Sequence, residues 1–182
     1  MTLEINRIYN RDCLEIMRNI PDRSIDMILC DLPYGTTACS WDSVIPFEPL
    51  WEQYKRITKD TSPIVLTACQ PFTSLLIASN LKMFKYCWYW IKERPTNIMQ
   101  IKKRAGKVVE EVVVFYDKQC KYNPQKTLHT GSLRSNNVKN GSLGNLVDSG
   151  GKRVNEYIDD RTRYPIQPLY FNRDTLTSNL HP

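Results

Sequence analysis

The chain has 182 residues, of which 41% are hydrophobic and 24% charged, and a net charge of +6, a composition ordinary for a globular protein and a length that allows one domain. No stretch reaches the ~18 apolar residues of a membrane span, and Met1-Thr2-Leu3-Glu4 lacks the basic-then-apolar pattern of a secretory leader. The six cysteines, at 13, 30, 39, 69, 87 and 120, form no C-x-x-C pair, and His129 and His181 are too few and too distant for a metal centre, so reduced thiols and no metal are expected.

In chain order, residues 5–9 read as a short strand and residues 12–19 as a helix turning Leu14, Ile16 and Met17 inward. Residues 25–30 have the β-branched, bounded character of a buried strand. Beyond a loop through Trp41 and Pro46, the residues Phe47, Leu50, Trp51, Tyr54 and Ile57 recur at spacings of three and four and define one helical face, a packing stripe rather than a base-binding surface. A buried strand over 64–68, a helix over 72–79 and strands over 86–91 and 112–116 follow. Strands alternating with helices predict an α/β fold: a doubly wound, mostly parallel sheet with helices on both faces and ligands at the carboxyl ends of the strands.

Charge is unevenly placed. Residues 1–91 hold 9 Lys and Arg against 10 Asp and Glu, while residues 92–182 hold 16 against 9, so the positive charge belongs to the second half. A solvated basic face is the plain explanation, and a surface for polyanionic nucleic acid is the functional one. From about residue 119 the composition becomes rich in Gly, Asn, Ser and Lys, with five of the seven glycines between Gly131 and Gly151. This divides the chain into a catalytic part, 1–118, and a loop-rich basic part, 119–182, either mobile or ordered by a ligand.

The chemistry concentrates at residues 31–34. Asp31-Leu32-Pro33-Tyr34 follows an apolar run directly and continues into Gly35-Thr36-Thr37. An exocyclic amine on a base is a poor nucleophile, because its lone pair is delocalised, and attack by its nitrogen develops positive charge that acceptors must meet. Asp31 offers one acceptor. The carbonyl of Leu32, fixed by Pro33, offers another, and Tyr34 offers a ring on which a base stacks. A strand end followed by a proline turn is the competing explanation for so short a motif.

These four residues resemble the catalytic motif of amino-group DNA methyltransferases, written [D/N/S]-P-P-[Y/F]. Residues 9–17 and 20–30 before the motif, with Thr36-Thr37, Trp41-Asp42, Gln70-Pro71-Phe72 and the aromatic run 86–90 after it, resemble the permuted, or beta, group of these enzymes, including phage and bacterial adenine methyltransferases. The resemblance covers residues 3–125 well and the remainder loosely. It implies an incomplete methyltransferase Rossmann-like fold and S-adenosylmethionine-dependent transfer to the adenine amine of duplex DNA, with the target base flipped out of the stack. It further implies a cytoplasmic, bacterial or phage-encoded protein, with DNA modification as its role. Asp31 favours adenine, many cytosine-amine relatives carrying Ser there; the cytosine amine remains an alternative.

Other residues acquire expectations from the same resemblance. Asp12 matches a position near the adenine end of the methyl donor, and is equally suited to cap a helix. Lys102, Lys103 and Arg104 lie in a connection near the target base and are expected at DNA phosphates, the alternative being a solvated turn. His181-Pro182 matches the start of an H-P-T-x-K-P segment, a weak candidate for cofactor contact. The glycine-rich F-x-G-x-G cofactor motif of the family is not found. The resemblance therefore implies the N-terminal portion of a methyltransferase, truncated or split, with an unpaired sheet edge, an uncovered apolar face and a second polypeptide completing the cofactor site. A catalytically inactive DNA-binding remnant is the rival expectation.

Overall fold

The computed structural model describes residues 3–128 and 162–170. These fall into two units, one built from residues up to Tyr122 together with the strand Pro168–Tyr170, the other within 123–166. In the first unit, α1 (Cys13–Met17), β1 (Ile28–Asp31), α2 (Phe47–Ile57), β2 (Ile64–Ala68), α3 (Phe72–Ser79), β3 (Phe84–Ile91) and β4 (Val109–Phe115) follow in order. In the second, β5 (Thr127–Leu128) pairs antiparallel with β6 (Thr162–Arg163). Finally β7 (Pro168–Tyr170) returns to the first unit as the end strand of a five-stranded sheet of order β1-β2-β4-β3-β7.

The sheet is mixed. β1 pairs parallel with β2 and β3 with β7, while β4 runs antiparallel to both its neighbours, β2 and β3. Four strands thus share one direction and β4 is reversed, because β3 turns into β4 through a hairpin connection rather than a crossover helix. Carboxyl ends of β1, β2 and β3 lie at the same end of the sheet.

Burial follows the strand period. Ile64, Leu66 and Ala68 of β2 are fully buried, with Val113 and Phe115 of β4, and these join Leu50, Trp51, Tyr54 and Ile57 of α2, Phe72 and Leu76 of α3 and Met17 of α1 in one cluster. The α2 stripe is therefore core, as its spacing predicted. That helix also obeys charge rules, with Glu48 in its first turn and Lys55 and Arg56 in its last. The guanidinium of Arg56 donates to the carbonyls of Met17 at 2.6 Å and Ile20 at 2.8 Å, which closes the end of α1 against α2. The indole of Trp51 packs edge-on to Phe115 at 4.8 Å and donates to Ser79 Oγ at 2.8 Å.

The three helices pack side by side, α1 on α2 and α2 on α3, against a single sheet face. The second helix layer expected from the strand–helix alternation is not among the described residues. On that other face Leu29 is 69% exposed, and among the described residues β1 is an end strand of the sheet, as β7 is at the opposite side. The strand expected over residues 5–9 does not form: Ile5 and Ile8 are 91% and 96% exposed. A lone extended segment leaves its backbone groups unpaired, and no described strand lies beside it to accept them. Among the described residues no helix is long and apolar enough to cross a membrane, no cluster could hold a metal, and the cysteines are free thiols.

Leu66→Ala should lower stability by about 2–5 kcal/mol, because the neighbours around a fully buried side chain refill its space only in part. Leu29→Ala should change it by less than about 0.5 kcal/mol. Urea unfolding followed by circular dichroism checks both.

Candidate active site

β1 ends at Asp31, and the parallel register sets Asp31 beside Thr67 of β2. Three oxygens meet there. Tyr34 Oη donates to Asp31 Oδ1 at 2.6 Å, Thr67 Oγ1 hydrogen-bonds to the same oxygen, and the two hydroxyl oxygens are 3.0 Å apart. With two hydroxyl hydrogens for one carboxylate oxygen, Oδ1 is saturated; among the described residues Oδ2 receives no donor. The carboxylate is solvent-exposed, so its free oxygen is an acceptor held at a fixed orientation. Burial first, and then the hydrogen bond to Asp31, push the Tyr34 phenol above its ordinary range, so it stays a donor at neutral pH.

The ring of Tyr34 stacks on Phe72 of α3 at 5.2 Å and 28°. Leu32 is buried at 6% exposure, which anchors the turn into the core while its neighbours Asp31 and Tyr34 face outward or sideways. Chain direction after Tyr34 depends on Gly35, whose φ of +65° lies in the left-handed region; a Cβ there would also meet Val44 Cγ2 at 2.8 Å.

The loop that follows is closed on one carboxylate. Asp42, 8% exposed, accepts the backbone N–H of Gly35 at 2.8 Å, Thr36 at 2.9 Å and Thr37 at 2.7 Å. The Thr37 hydroxyl, together with these three N–H groups, holds the Asp42 carboxyl down at about 2. Asp42 thereby fixes the residues directly downstream of Asp31–Tyr34.

Along the same sheet face the register aligns Asp31, Thr67, Val112 and Trp88 across four strands. One step further lie Glu110 and Trp90, with Lys92 paired to Glu110 and placed over the Trp90 ring at 4.8 Å. Glu111 accepts from Thr73 Oγ1 at 3.1 Å, and Lys107 Nζ reaches the Gln70 carbonyl at 3.4 Å. These contacts tie the β3–β4 connection to the start of α3.

Of the residues singled out from sequence, Asp31 to Tyr34 stand together at the carboxyl end of β1. Asp12 is the N-cap of α1, its Oδ1 accepting from Glu15 N at 3.1 Å. Lys102, Lys103 and Arg104 are exposed on the β3–β4 connection, and His181 lies outside the described residues. Sequence reasoning missed Thr67 and the role of Asp42. The signal for Thr67 was a hydroxyl inside an otherwise apolar strand; for Asp42, an acid shortly after a Gly-Thr-Thr turn.

No protein-family profile matches the chain. It is 25% identical over 125 residues to the type II methyltransferase M1.MboII of Moraxella bovis, an alignment that takes in 64% of this chain and 47% of that protein. Over that stretch the chain is similar to this type II methyltransferase, and it spans about half the length of that curated relative. Among solved structures, the M1.HpyAVI-SAM complex superposes with a TM-score of 0.48 at 21% identity, covering 65% of this chain and 56% of the other. The cytosine-N4-specific PvuII DNA methyltransferase does so with a TM-score of 0.47 at 14% identity, covering 62% and 49%.

Asp42→Asn should melt below the parent at pH 7. The depressed carboxyl of Asp42 stabilises the fold above its ordinary value of 3.8, and that contribution is lost as pH falls towards about 2. The melting gap between variant and parent should therefore shrink between those pH values, which thermal scans across the range would reveal.

Proposed function

We propose that this chain is the catalytic and target-recognition part of an S-adenosylmethionine-dependent DNA methyltransferase acting on the exocyclic amine of adenine in duplex DNA. The observation that carries this reading is the Asp31 carboxylate at the carboxyl end of β1, with one oxygen engaged by Thr67 and Tyr34 and the other without a donor among the described residues. A flipped adenine would present its amine between Asp31 Oδ2 and the Leu32 carbonyl. The two acceptors take the N–H groups as nitrogen gains positive charge, and because they are held before the base arrives, little reorganisation is needed. Tyr34, backed by Phe72, supports the ring. The excess of basic residues in the second half, with Lys102, Lys103 and Arg104 exposed, suits the phosphate backbone.

S-adenosylmethionine, when bound, supplies an electrophilic methyl group. The described residues do not by themselves fit that donor: Asp12 already caps α1, and no described strand pairs with the outer side of β1 next to Asp31. We therefore place the rest of the donor's seat on a second polypeptide or further segment that pairs with β1 and covers Leu29. The setting this reading implies is the cytoplasm of a bacterium or a phage-infected cell. That incomplete fit also favours one rival, a DNA-binding remnant without activity. The cytosine amine is the alternative substrate.

Transfer of labelled methyl from S-adenosylmethionine to unmethylated DNA, with the nucleoside product identified, tests the proposal. Labelled N6-methyladenine supports it, labelled cytosine moves the substrate, and DNA binding without transfer in the presence of any completing partner favours the remnant. Where transfer occurs, Asp31→Ala should reduce it by at least ~100-fold with DNA affinity retained. Thr67→Val should also reduce transfer, and Thr67→Ser should restore it, as expected if the hydroxyl acts by orienting Asp31.

A further inference from the structure

The β3–β4 connection carries a feature that the base pocket does not use. Because β3 runs in the direction of β1, the connection over residues 92–108 leaves the sheet at the same end as Asp31. Its tip is built rather than slack. Asn97 bridges it, with Oδ1 accepting from Lys107 N at 2.7 Å and Nδ2 donating to the Ala105 carbonyl at 3.0 Å. Thr96 N donates to the Lys107 carbonyl at 2.9 Å, residues Ile98–Gln100 form a 3-10 turn, and Gly106 lies so near Pro95 that a Cβ would meet its ring carbon at 3.0 Å.

On this fixed tip the apolar side chains point into solvent. Met99 is 98% exposed, Ile98 63% and Ile101 49%. Lys102, Lys103 and Arg104 follow directly, and Arg94 and Lys107 stand at the base. An apolar point with exposed cations directly after it in the chain, and Glu93 the one acid on the connection, fits a partner that is anionic outside and apolar inside. Duplex DNA has that character, with phosphates outside and stacked bases within.

Resting on the reading that this chain handles duplex DNA, we propose that the tip is a wedge. Met99, flanked by Ile98, enters the base stack beside the target and occupies space the flipped base leaves, while Lys102, Lys103 and Arg104 hold the adjacent phosphates. Apolar wedges of this kind unstack a base step in exchange for wider contact with the protein. The wedge lowers the cost of opening a paired target, so its value disappears on DNA that is already open.

The test uses the full chain and fluorescence-anisotropy titrations against a pool of duplexes with a randomised centre, and against the same pool carrying an abasic gap in one strand. Met99→Ala should bind the paired pool at least about threefold more weakly than the parent and the gapped pool almost as well. Replacing Lys102, Lys103 and Arg104 together by Ala should weaken both and flatten the salt dependence. Equal losses for Met99→Ala on both pools, or no loss on either, overturn the wedge while leaving the nucleic-acid reading intact. A parent that binds neither pool overturns both. If Met99→Ala instead weakens sedimentation with anionic phosphatidylserine vesicles and leaves paired DNA unchanged, the tip is a membrane contact and the wedge is wrong. Met99 is so exposed that its truncation leaves the fold unaffected, which unchanged circular dichroism would verify.

Discussion

The pairing of β1 with β2, in the one register that brings Asp31 level with Thr67, is the constraint on which the rest of this molecule depends. A slip by one residue would turn Asp31 to the opposite face, away from Thr67, and would set Cys30 in its place. The register is protected by burial: Ile64, Leu66 and Ala68 must face α2 and α3, so Val65 and Thr67 must face the other way. Hydrophobic packing on one face of the sheet thus aims polar chemistry on the other, without any energy of its own being spent at the site.

The turn after β1 then fixes how the chain leaves the strand end. Leu32 is held in the core, Gly35 takes a backbone conformation open to few residues, and Asp42 gathers three successive N–H groups. Each is a local device, and together they leave the segment little freedom to collapse over Asp31. A turn tied in this way leaves fewer groups to be ordered should a ligand bind beside it.

Much of this was legible in the sequence, and the pattern of what was not is instructive. Helices Phe47–Ile57 and Phe72–Ser79 and strand Ile64–Ala68 lie where their periodicity places them, because the apolar period and the flanking prolines are local signals. That Asp31 to Tyr34 stand at a strand end was legible because the apolar run before them and the proline within them are local signals. Reversal of β4 was not, since alternation reveals which face a residue takes and not which way the strand runs. The segment 5–9 has strand-like residues yet no described neighbour to pair with, and β7 is only three residues long and exists through its pairing with β3. Thr67 and Asp42 were hidden for the same reason: each acts on residues that it meets only after folding, from 36 positions away in one case and five to seven in the other.

The connectivity of the sheet has a further consequence. β4 and β7 are both paired to β3, one on either side, so the chain leaves β4 at Phe115 and its next described strand in this sheet begins at Pro168, an excursion closed by the sheet itself. The entropy of closing such an excursion grows only logarithmically, by roughly 0.6 kcal/mol for each doubling of its length. Evolution could therefore lengthen, shorten or exchange that excursion at small thermodynamic cost while β1 to β4 stay as they are.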